Sequence, residues 1–445
     1  MFSKILIANR GEIAVRIIRA CKEMGVSTVA VHSLCDRESL HVELADEHIC
    51  IGGNAVADSY LNMESILAAA EVTGANAIHP GYGLLSENSQ FAALCEQFQL
   101  PFIGPSSEII ERMGNKEEAR KAMKAAGVPI VPGTDVIEDL AQARREAKAV
   151  GFPLLCKARS GGGGRGIRLV ERAEDFDAAF LTAGREAQTA FGDGGIYLEK
   201  YLAKTKHIEI QLLCDKHGNV LSLGERDCSM QRRRQKMLEE SPAPTLKPQV
   251  RKAMVKAAIK AAKAVKYTGV GTVEFLLDSD DKFYFMEMNT RLQVEHPVTE
   301  HVTGIDLVKW QIRTAAGAVL PFKQTDIAHQ GHAIECRIVA ENPTMGFRPS
   351  CGTITHLHVP GGPWVRFDSH IYRNYQVPPY YDSMLGKLIV HAATREEALR
   401  KMRSALCELV ITGVDHNSEF LMELLTLGEF IDGTYHTNTL EGRGD

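Results

Sequence analysis

The stretch Met286-Glu287-Met288-Asn289-Thr290-Arg291-Leu292-Gln293-Val294-Glu295-His296-Pro297 limits the fold of this chain more than any other. Two carboxylates, an amide and a guanidinium follow directly on an aromatic-rich run, Phe283-Tyr284-Phe285-Met286, which reads as a strand. Side chains alternate along a strand, so Glu287 and Asn289 face the same way. A second strand-like run, Gly271-Thr272-Val273-Glu274-Phe275-Leu276-Leu277, lies just upstream, and the polar Asp278-Ser279-Asp280-Asp281-Lys282 between the two reads as a turn. Pairing the runs as a hairpin with a loop of about four residues sets Glu274 opposite Glu287. Like charges directly opposite, ~5 Å apart at Cβ, destabilise a sheet. A divalent cation between them removes the conflict. Two carboxylates and an amide are hard oxygen ligands for Mg²⁺ or Mn²⁺, and Mg²⁺ characteristically arrives with phosphate. An exposed strand face carrying unpaired acids is the other reading, because Glu-x-Asn is common.

A chain of 445 residues accommodates about three domains. Its apolar fraction of 44% and charged fraction of 24% are those of a globular protein. A net charge of −5 argues against nucleic acid or an anionic membrane as partner, so any basic site is local. No apolar run approaches the ~20 residues that span a bilayer. Met1-Phe2-Ser3-Lys4-Ile5 leads straight into a strand, and no signal or transit segment is expected. The ten cysteines form no C-x-x-C, and Cys50, Cys95, Cys156 and Cys336 fall in apolar runs. That is the pattern of reduced core residues in a cytoplasmic protein rather than of disulfides or zinc.

The first part of the chain alternates strands and helices. Lys4-Ile5-Leu6-Ile7-Ala8 reads as a strand, residues 12–21 as a helix stopped by Gly25, and residues 26–31 as the next strand. Further strands are expected at 48–51, 77–79 and 101–103, with helices at 62–72 and 88–98. This order implies a doubly wound parallel sheet up to about residue 113. Such sheets bind ligands where loops leave the strand C-terminal ends, the position of Asn9-Arg10-Gly11-Glu12 and His79-Pro80-Gly81-Tyr82-Gly83. Neither loop is G-x-G-x-x-G and no acid is placed for a ribose, which argues against NAD.

A helix from Lys116 and a Val-Pro linker at 128–133 lead to a buried-type strand, Phe152-Pro153-Leu154-Leu155-Cys156-Lys157-Ala158. The loop Arg159-Ser160-Gly161-Gly162-Gly163-Gly164-Arg165-Gly166 joins it to the strand Ile167-Arg168-Leu169-Val170. A P-loop needs G-K-[ST] before a helix, which is missing here. A glycine hairpin offers bare backbone N–H groups to phosphate, and Lys157 and Arg165 add positive charge, so a phosphate flap is favoured over a solvent loop. Along Lys206-His207-Ile208-Glu209-Ile210-Gln211-Leu212-Leu213, the isoleucines and Leu212 take one face and His207, Glu209 and Gln211 the other. Spacing does not decide whether His207 meets phosphate or solvent. The charged run 225–236 precedes the rigid turn Glu239-Glu240-Ser241-Pro242-Ala243-Pro244. It is expected as a fixed loop supplying cations to a small anion, phosphate or bicarbonate; without interleaved aromatics it is not expected to bind RNA. Helices are expected at 247–266, 304–316 and 394–409. From His332 onward, short runs indicate a C-terminal α+β unit packed on the rest.

Five motifs are long and ordered enough to carry a family. They are Lys4-Ile5-Leu6-Ile7-Ala8-Asn9-Arg10-Gly11-Glu12-Ile13-Ala14, His79-Pro80-Gly81-Tyr82-Gly83-Leu84-Leu85-Ser86-Glu87-Asn88, Glu225-Arg226-Asp227-Cys228-Ser229-Met230-Gln231-Arg232-Arg233, the stretch Glu287 to Pro297, and Pro378-Pro379-Tyr380-Tyr381-Asp382-Ser383-Met384. Together they resemble biotin carboxylase, an ATP-grasp enzyme family, from about residue 3 to about residue 440. The resemblance implies an α/β and α+β architecture in three units. These are a Rossmann-like N-terminal domain (1–113), a central ATP-grasp domain (114–325) with a mobile glycine-rich lid at about 132–202, and a C-terminal α+β domain (326–445). It implies the reaction of ATP, bicarbonate and biotin to carboxybiotin, ADP and phosphate. By the same resemblance, ATP is held by Lys116, Lys157, Gly163, Gly164, Glu199, Lys200, Tyr201, Leu202, His207, Gln231, Arg234 and Leu276. Glu274, Glu287 and Asn289 hold Mg²⁺ or Mn²⁺. Lys236, Arg291, Gln293, Val294, Arg337 and Tyr82 serve bicarbonate and biotin, and Arg291, Glu295 and Arg337 are catalytic, with Glu295 as the base.

Two departures stand out. The flap reads Ala158-Arg159-Ser160-Gly161 where the family commonly has Ala-Ser-Gly-Gly, and Arg234 stands where many members have His. No Ala-Met-Lys-Met biotinylation site is present; Ala122-Met123-Lys124-Ala125 is the nearest. The expectation is a free-standing subunit, a homodimer, working with a biotin carboxyl carrier protein and carboxyltransferase subunits, as in acetyl-CoA carboxylase of fatty acid synthesis. A pyruvate or other acyl-CoA carboxylase is the alternative. Another ATP-grasp ligase, distinguished by cleaving ATP for an amine rather than for bicarbonate, and a non-catalytic nucleotide-binding subunit are the rival classes.

Overall fold

The computed structural model describes residues 1–137, 139–159 and 166–442, apart from the side chains of residues 190 and 191. Ser160, Gly163, Gly164 and Arg165 of the glycine loop lie outside the described residues. At the N-terminus, Lys4–Ile7 (β1), Ser27–Ser33 (β2), Glu47–Gly52 (β3) and Ala77–His79 (β4) form a parallel sheet in the order β3-β2-β1-β4. The helix Gly11–Glu23 covers it, burying Ile13, Ile17, Ile18 and Cys21. The expected strand at 101–103 is only a single bridge from Phe102 to Ile78. Pro101 has no N–H to give a ladder, which confines it to the sheet's margin. Cys95, Cys156 and Cys336 are buried as expected, but Cys50 is exposed, because β3 is an edge strand whose outer face meets solvent. All ten cysteines are free.

Leu154–Ala158 (β5), Ile167–Val170 (β6) and Ile196–Lys200 (β7) make a small antiparallel sheet, β6-β5-β7. The helices Leu140–Val150 and Phe176–Phe191 supply the other side of a separate core around Leu154, Cys156, Phe176 and Leu198.

The largest sheet is antiparallel throughout. It contains Lys206–Cys214 (β8), Val220–Arg232 (β9), Gln235–Ser241 (β10), Gly269–Leu277 (β11), Phe283–Asn289 (β12) and His332–Val339 (β13). Its order is β12-β11-β8-β9-β10-β13, continued by Met384–Ala392 and Val365–Ser369. The strands expected in a C-terminal unit therefore extend the central sheet rather than merely packing on it. One face is apolar: Ile208, Ile210, Leu212, Val273 and Phe275 pack on the helix Pro248–Ala264. On the other face of the same strands His207, Glu209, Gln211, Thr272 and Glu274 are all buried. A strand with both faces buried and one of them charged marks a site.

The charged run 225–236 is a hairpin, not a loop: β9 and β10 meet at the two-residue turn Arg233-Arg234. Both turn residues take positive φ, 48° and 67°, as a two-residue hairpin demands. The usual Asn-Gly signature is missing, so the turn was invisible to pattern. The helix expected at 304–316 is Leu307–Ala315. Gly304, at φ 70°, ends the preceding helix His296–Thr303, and the Asp306 side chain caps the next by accepting from the Lys309 N–H. Among the described residues no helix is long and apolar enough to cross a membrane.

The junction between β10 and the C-terminal elements turns on one buried carboxylate. Glu240 accepts from Arg395 Nε at 2.7 Å and Nη2 at 2.9 Å, from Tyr435 Oη at 2.6 Å, and lies 2.6 Å from His332 Nε2. Burial alone would raise its pKa; His332 and Arg395 overrule burial and draw it from the ordinary 4.5 down to about 2. A carboxylate depressed in the folded state stabilises fully above its ordinary pKa and loses that stabilisation as pH falls. We expect thermal unfolding to show roughly 3 kcal/mol of stability lost between pH ~4.5 and ~2 on this account. Glu240→Gln should flatten that slope and lower the melting temperature at pH 7.

Candidate active site

The site grows from the hairpin of β11 and β12. Glu274 stands opposite Glu287, and Thr272 opposite Asn289. The register arises differently from the four-residue loop expected. Leu277 pairs with Phe283, leaving five residues in the loop, and a bulge at Met286 shifts the register back by one. Asp278 shapes that loop by accepting from the N–H groups of Asp280 and Lys282, both at 2.9 Å.

The two opposed carboxylates live differently. Glu274 is buried and takes Lys236 Nζ (3.1 Å), Asn289 Nδ2 (2.9 Å) and Gln293 Nε2 (3.0 Å) on one oxygen, with His207 Nε2 3.0 Å from the other. Burial would raise it, but Lys236 and His207 hold it well below the usual range. Glu287 is open to the cleft, and none of the described residues donates to it. Desolvation by the cleft walls and then the charge of Glu274 push its pKa up. An uncompensated carboxylate across from a compensated one, with the Asn289 amide beside them, is a donor set that fits a hard divalent cation.

The second half of the site surrounds Glu295, which is fully buried. Lys236 Nζ donates to Glu295 at 2.6 Å and to Glu209 at 2.8 Å. Arg337 Nη2 donates to the other Glu295 oxygen at 2.8 Å, and its Nε to Glu239 at 2.6 Å. Beneath them Arg226, wholly buried, bonds Glu209, Gln211 (2.6 Å), Thr299 (2.9 Å) and Thr272 (3.2 Å). Burial opposes ionisation of Glu295, yet Lys236, Arg337 and Arg226 hold it well below the usual carboxylate range. Glu239, which shares Arg337 with it, is pushed by burial up to about 7. His207 is raised because Glu274 outweighs burial. Buried carboxylates and cations are thus nearly matched in number. An anionic substrate entering here needs additional positive charge, which the open pair Glu274 and Glu287 can recruit as a metal.

Between the halves runs the irregular segment 290–295. It is anchored from the loop that follows β4: Glu87 accepts from the Thr290 N–H at 3.0 Å and from Arg291 Nε at 2.8 Å. Arg291 Nη1 donates to Gln293 Oε1 at 2.9 Å and Nη2 to Asn289 Oδ1 at 3.3 Å. The Val294 carbonyl accepts from Lys387, and Tyr82 Oη donates to Glu12.

The remaining expected residues are spread over several elements. Lys157 on β5 pairs with Glu199 on β7, which also accepts from Arg120 at 3.2 Å. Lys200 spends its ammonium on the carbonyls of Gly151 and Phe152, and the Tyr201 N–H goes to Pro153. Leu202 and Gln231 are half-buried, and Lys116 is exposed at the start of the helix Lys116–Ala125. Leu276 stands beside His207 on the cleft face. Arg234 is exposed at the hairpin tip, two residues before Lys236. The extra charge of Arg159 is balanced by a two-pronged pair with Asp193, both contacts at 2.8 Å. Gly163 and Gly164 lie outside the described residues. Glu209, Arg226, Glu239 and Glu87 belong to the site but do not stand among the residues expected there. Glu209 sits on the polar face of β8, whose alternation is visible; Arg226 and Glu87 lie inside two of the long motifs but no spacing singles them out, and Glu239 carries no local signal.

Comparison with known proteins agrees with this architecture. Residues 1–110 match the family described as biotin carboxylase, N-terminal domain, and residues 335–442 match the biotin carboxylase C-terminal domain. Residues 115–323 match the ATP-binding domain of the carbamoyl-phosphate synthase L chain. Biotin carboxylase 1 of Bacillus subtilis is 53% identical over 443 residues, 99% of this chain and 98% of that relative. The crystal structure of a biotin carboxylase–β,γ-ATP complex from Campylobacter jejuni superposes with a TM-score of 0.94 at 49% identity, covering 100% of this chain and 99% of that one. The biotin carboxylase domain dimer of Hydrogenobacter thermophilus 2-oxoglutarate carboxylase, in complex with MgADP, ADP and bicarbonate, gives a TM-score of 0.93 at 50% identity, covering 99% of this chain and 98% of that one. With the sheet, the metal-competent hairpin and the Glu295 cluster in place, this chain belongs to the biotin carboxylase family.

Proposed function

We propose that this chain is an ATP-dependent ligase that carboxylates biotin on a separate carrier protein, converting ATP, bicarbonate and biotin to carboxybiotin, ADP and phosphate. The observation that carries this reading is Glu295 held between Lys236 and Arg337, beside the Arg291–Gln293 pair. That arrangement offers a carboxylate base ringed by anion-binding cations, which a small, proton-bearing anion such as bicarbonate needs.

Glu295 takes the bicarbonate proton as the anion attacks the γ-phosphate of ATP, giving carboxyphosphate and ADP. In the resting site its basicity is suppressed by Lys236 and Arg337. A bicarbonate that shares those cations lifts the suppression, because fewer donors then stabilise the ionised carboxylate. Arg291, Gln293 and the Val294 backbone hold the bicarbonate in line. Carboxyphosphate yields CO₂ and phosphate, phosphate takes the ureido proton of biotin, Arg337 stabilises the resulting enolate-like biotin oxygen with Tyr82 on the biotin side, and the ureido nitrogen attacks CO₂ to give carboxybiotin. Glu274, Glu287 and Asn289 would hold Mg²⁺ or Mn²⁺, which supplies charge neutralisation at the phosphates. On the nucleotide side, Lys116, Lys157, His207, Gln231, Arg234, Leu276, the 199–202 segment and the flap glycines Gly163 and Gly164 take ATP. The chain divides for this purpose into units 1–113, 114–325 and 326–445.

The partners are a biotin carboxyl carrier protein and carboxyltransferase subunits, with a second copy of the chain as dimer mate; the dimer of the 2-oxoglutarate carboxylase relative supports the last. Ten unpaired cysteines fit a cytoplasmic setting. The role is the first half-reaction of acetyl-CoA carboxylase, which feeds malonyl-CoA to fatty acid synthesis. The acceptor is chosen by the carboxyltransferase and not by this site.

ADP release from MgATP should depend on bicarbonate and rise with free biotin; ATP cleavage that instead requires an amine would replace this reading. Glu295→Gln should keep ATP affinity within about twofold while cutting bicarbonate-dependent turnover by about 10²–10⁴-fold. Glu287→Gln should weaken Mn²⁺ binding at least about tenfold by paramagnetic titration. Because it removes a like-charge pair, it should leave the metal-free melting temperature equal or higher.

A further inference from the structure

We infer that Lys387 is a positioning residue for the bicarbonate half of the site, holding the 290–295 segment by the Val294 carbonyl and tying it to Tyr82 through Glu12. The inference rests on the reading of that segment as the bicarbonate loop.

Lys387 lies on the strand Met384–Ala392 and is wholly buried. Its Nζ donates to the Val294 carbonyl at 2.8 Å and pairs with Glu12 Oε1 at 3.0 Å. The same Glu12 oxygen accepts from Tyr82 Oη, and the Lys387 ammonium is 5.9 Å from the centre of the Tyr82 ring. One ammonium thus joins three separate parts of the chain: the helix Gly11–Glu23, the loop after β4, and the segment between β12 and the helix His296–Thr303.

Two physical points favour positioning over simple filling. First, Lys387 is the direct cross-strand neighbour of Arg337. Like charges opposite one another destabilise a sheet, and an apolar side chain here would avoid that. The buried cation is tolerated because Glu12 and the cross-strand Asp368 balance it. Second, among the described residues the one bond that Lys387 makes outside this ionic group goes to the backbone of a segment with no regular structure, between the buried side chains of Gln293 and Glu295. Fixing the Val294 carbonyl fixes the 294–295 peptide that carries Glu295 and, through Val294, restrains Gln293 one residue before it. A shift of a fraction of an ångström at that carbonyl therefore displaces the base and the amide together.

The test uses the full chain with MgATP, free biotin and titrated bicarbonate. Lys387→Met leaves Glu12 buried without a balancing cation, so it should lower the melting temperature. Lys387→Met combined with Glu12→Gln removes both charges and should recover most of that temperature. Both variants should raise KM for bicarbonate about tenfold or more, with KM for ATP within about twofold of the parent. A double variant that regains stability together with the parent's KM for bicarbonate overturns the inference, as do equal rises in both KM values, which mark general loosening. Parent protein whose ADP release ignores bicarbonate removes the reading of the loop itself; bicarbonate-dependent parent protein with an indifferent double variant removes only the role of Lys387.

Discussion

Lys236 donates to three buried carboxylates at once, Glu209, Glu274 and Glu295, and much of the molecule is arranged to make that contact possible. An isolated buried ammonium, or any of those acids alone, would be expelled or neutralised. Held together on the polar face of the large sheet, and underlain by Arg226, they stay charged. The apolar face of the same strands packs on the helix Pro248–Ala264. The sheet is thus committed on one side to hydrophobic burial and on the other to a charge lattice. The lattice is poised rather than inert, because Lys236 and Arg337 each bridge more than one carboxylate and so can exchange one for an incoming anion.

The lattice also explains why the three parts of the chain are interlocked. Arg337 reaches Glu295 only because β13 adds to the edge of the sheet beside β10. The segment 290–295 is clamped by Glu87 from the N-terminal side and by Lys387 from the C-terminal side. No one part holds a complete set of partners for Glu295. This is a sound physical reason for a labile intermediate to be handled here, since a site closed from several directions keeps water out.

Much of this was legible from residue order. The hairpin opposing Glu274 to Glu287, the amphipathic β8, the strand–helix alternation at the N-terminus and the long motifs all follow from periodicities of two and 3.6 and from turn chemistry. Errors fell where local signals compete. The 225–236 run looked like a loop because charge predominated and the Arg233-Arg234 turn lacks glycine. Gly304 fits the helical pattern of 304–316 by position, yet its left-handed conformation ends a helix instead. Cys50 lies in an apolar run yet is exposed, because burial of an edge strand depends on what covers it.

What residue order alone determined is therefore the chemical inventory: which acids share a strand face, which basic residues lie near glycine turns, and to which family the motifs point. Tertiary structure decided the pairing. Whether Glu295 rests charged depends on Lys236 and Arg337, which lie 59 and 42 positions away. Its partnership with Arg226, and that of Arg291 with Glu87, likewise depends on how sheets and loops meet. Coulombic and desolvation energies vary with distance in space and with exclusion of water, and neither is a function of separation along the chain.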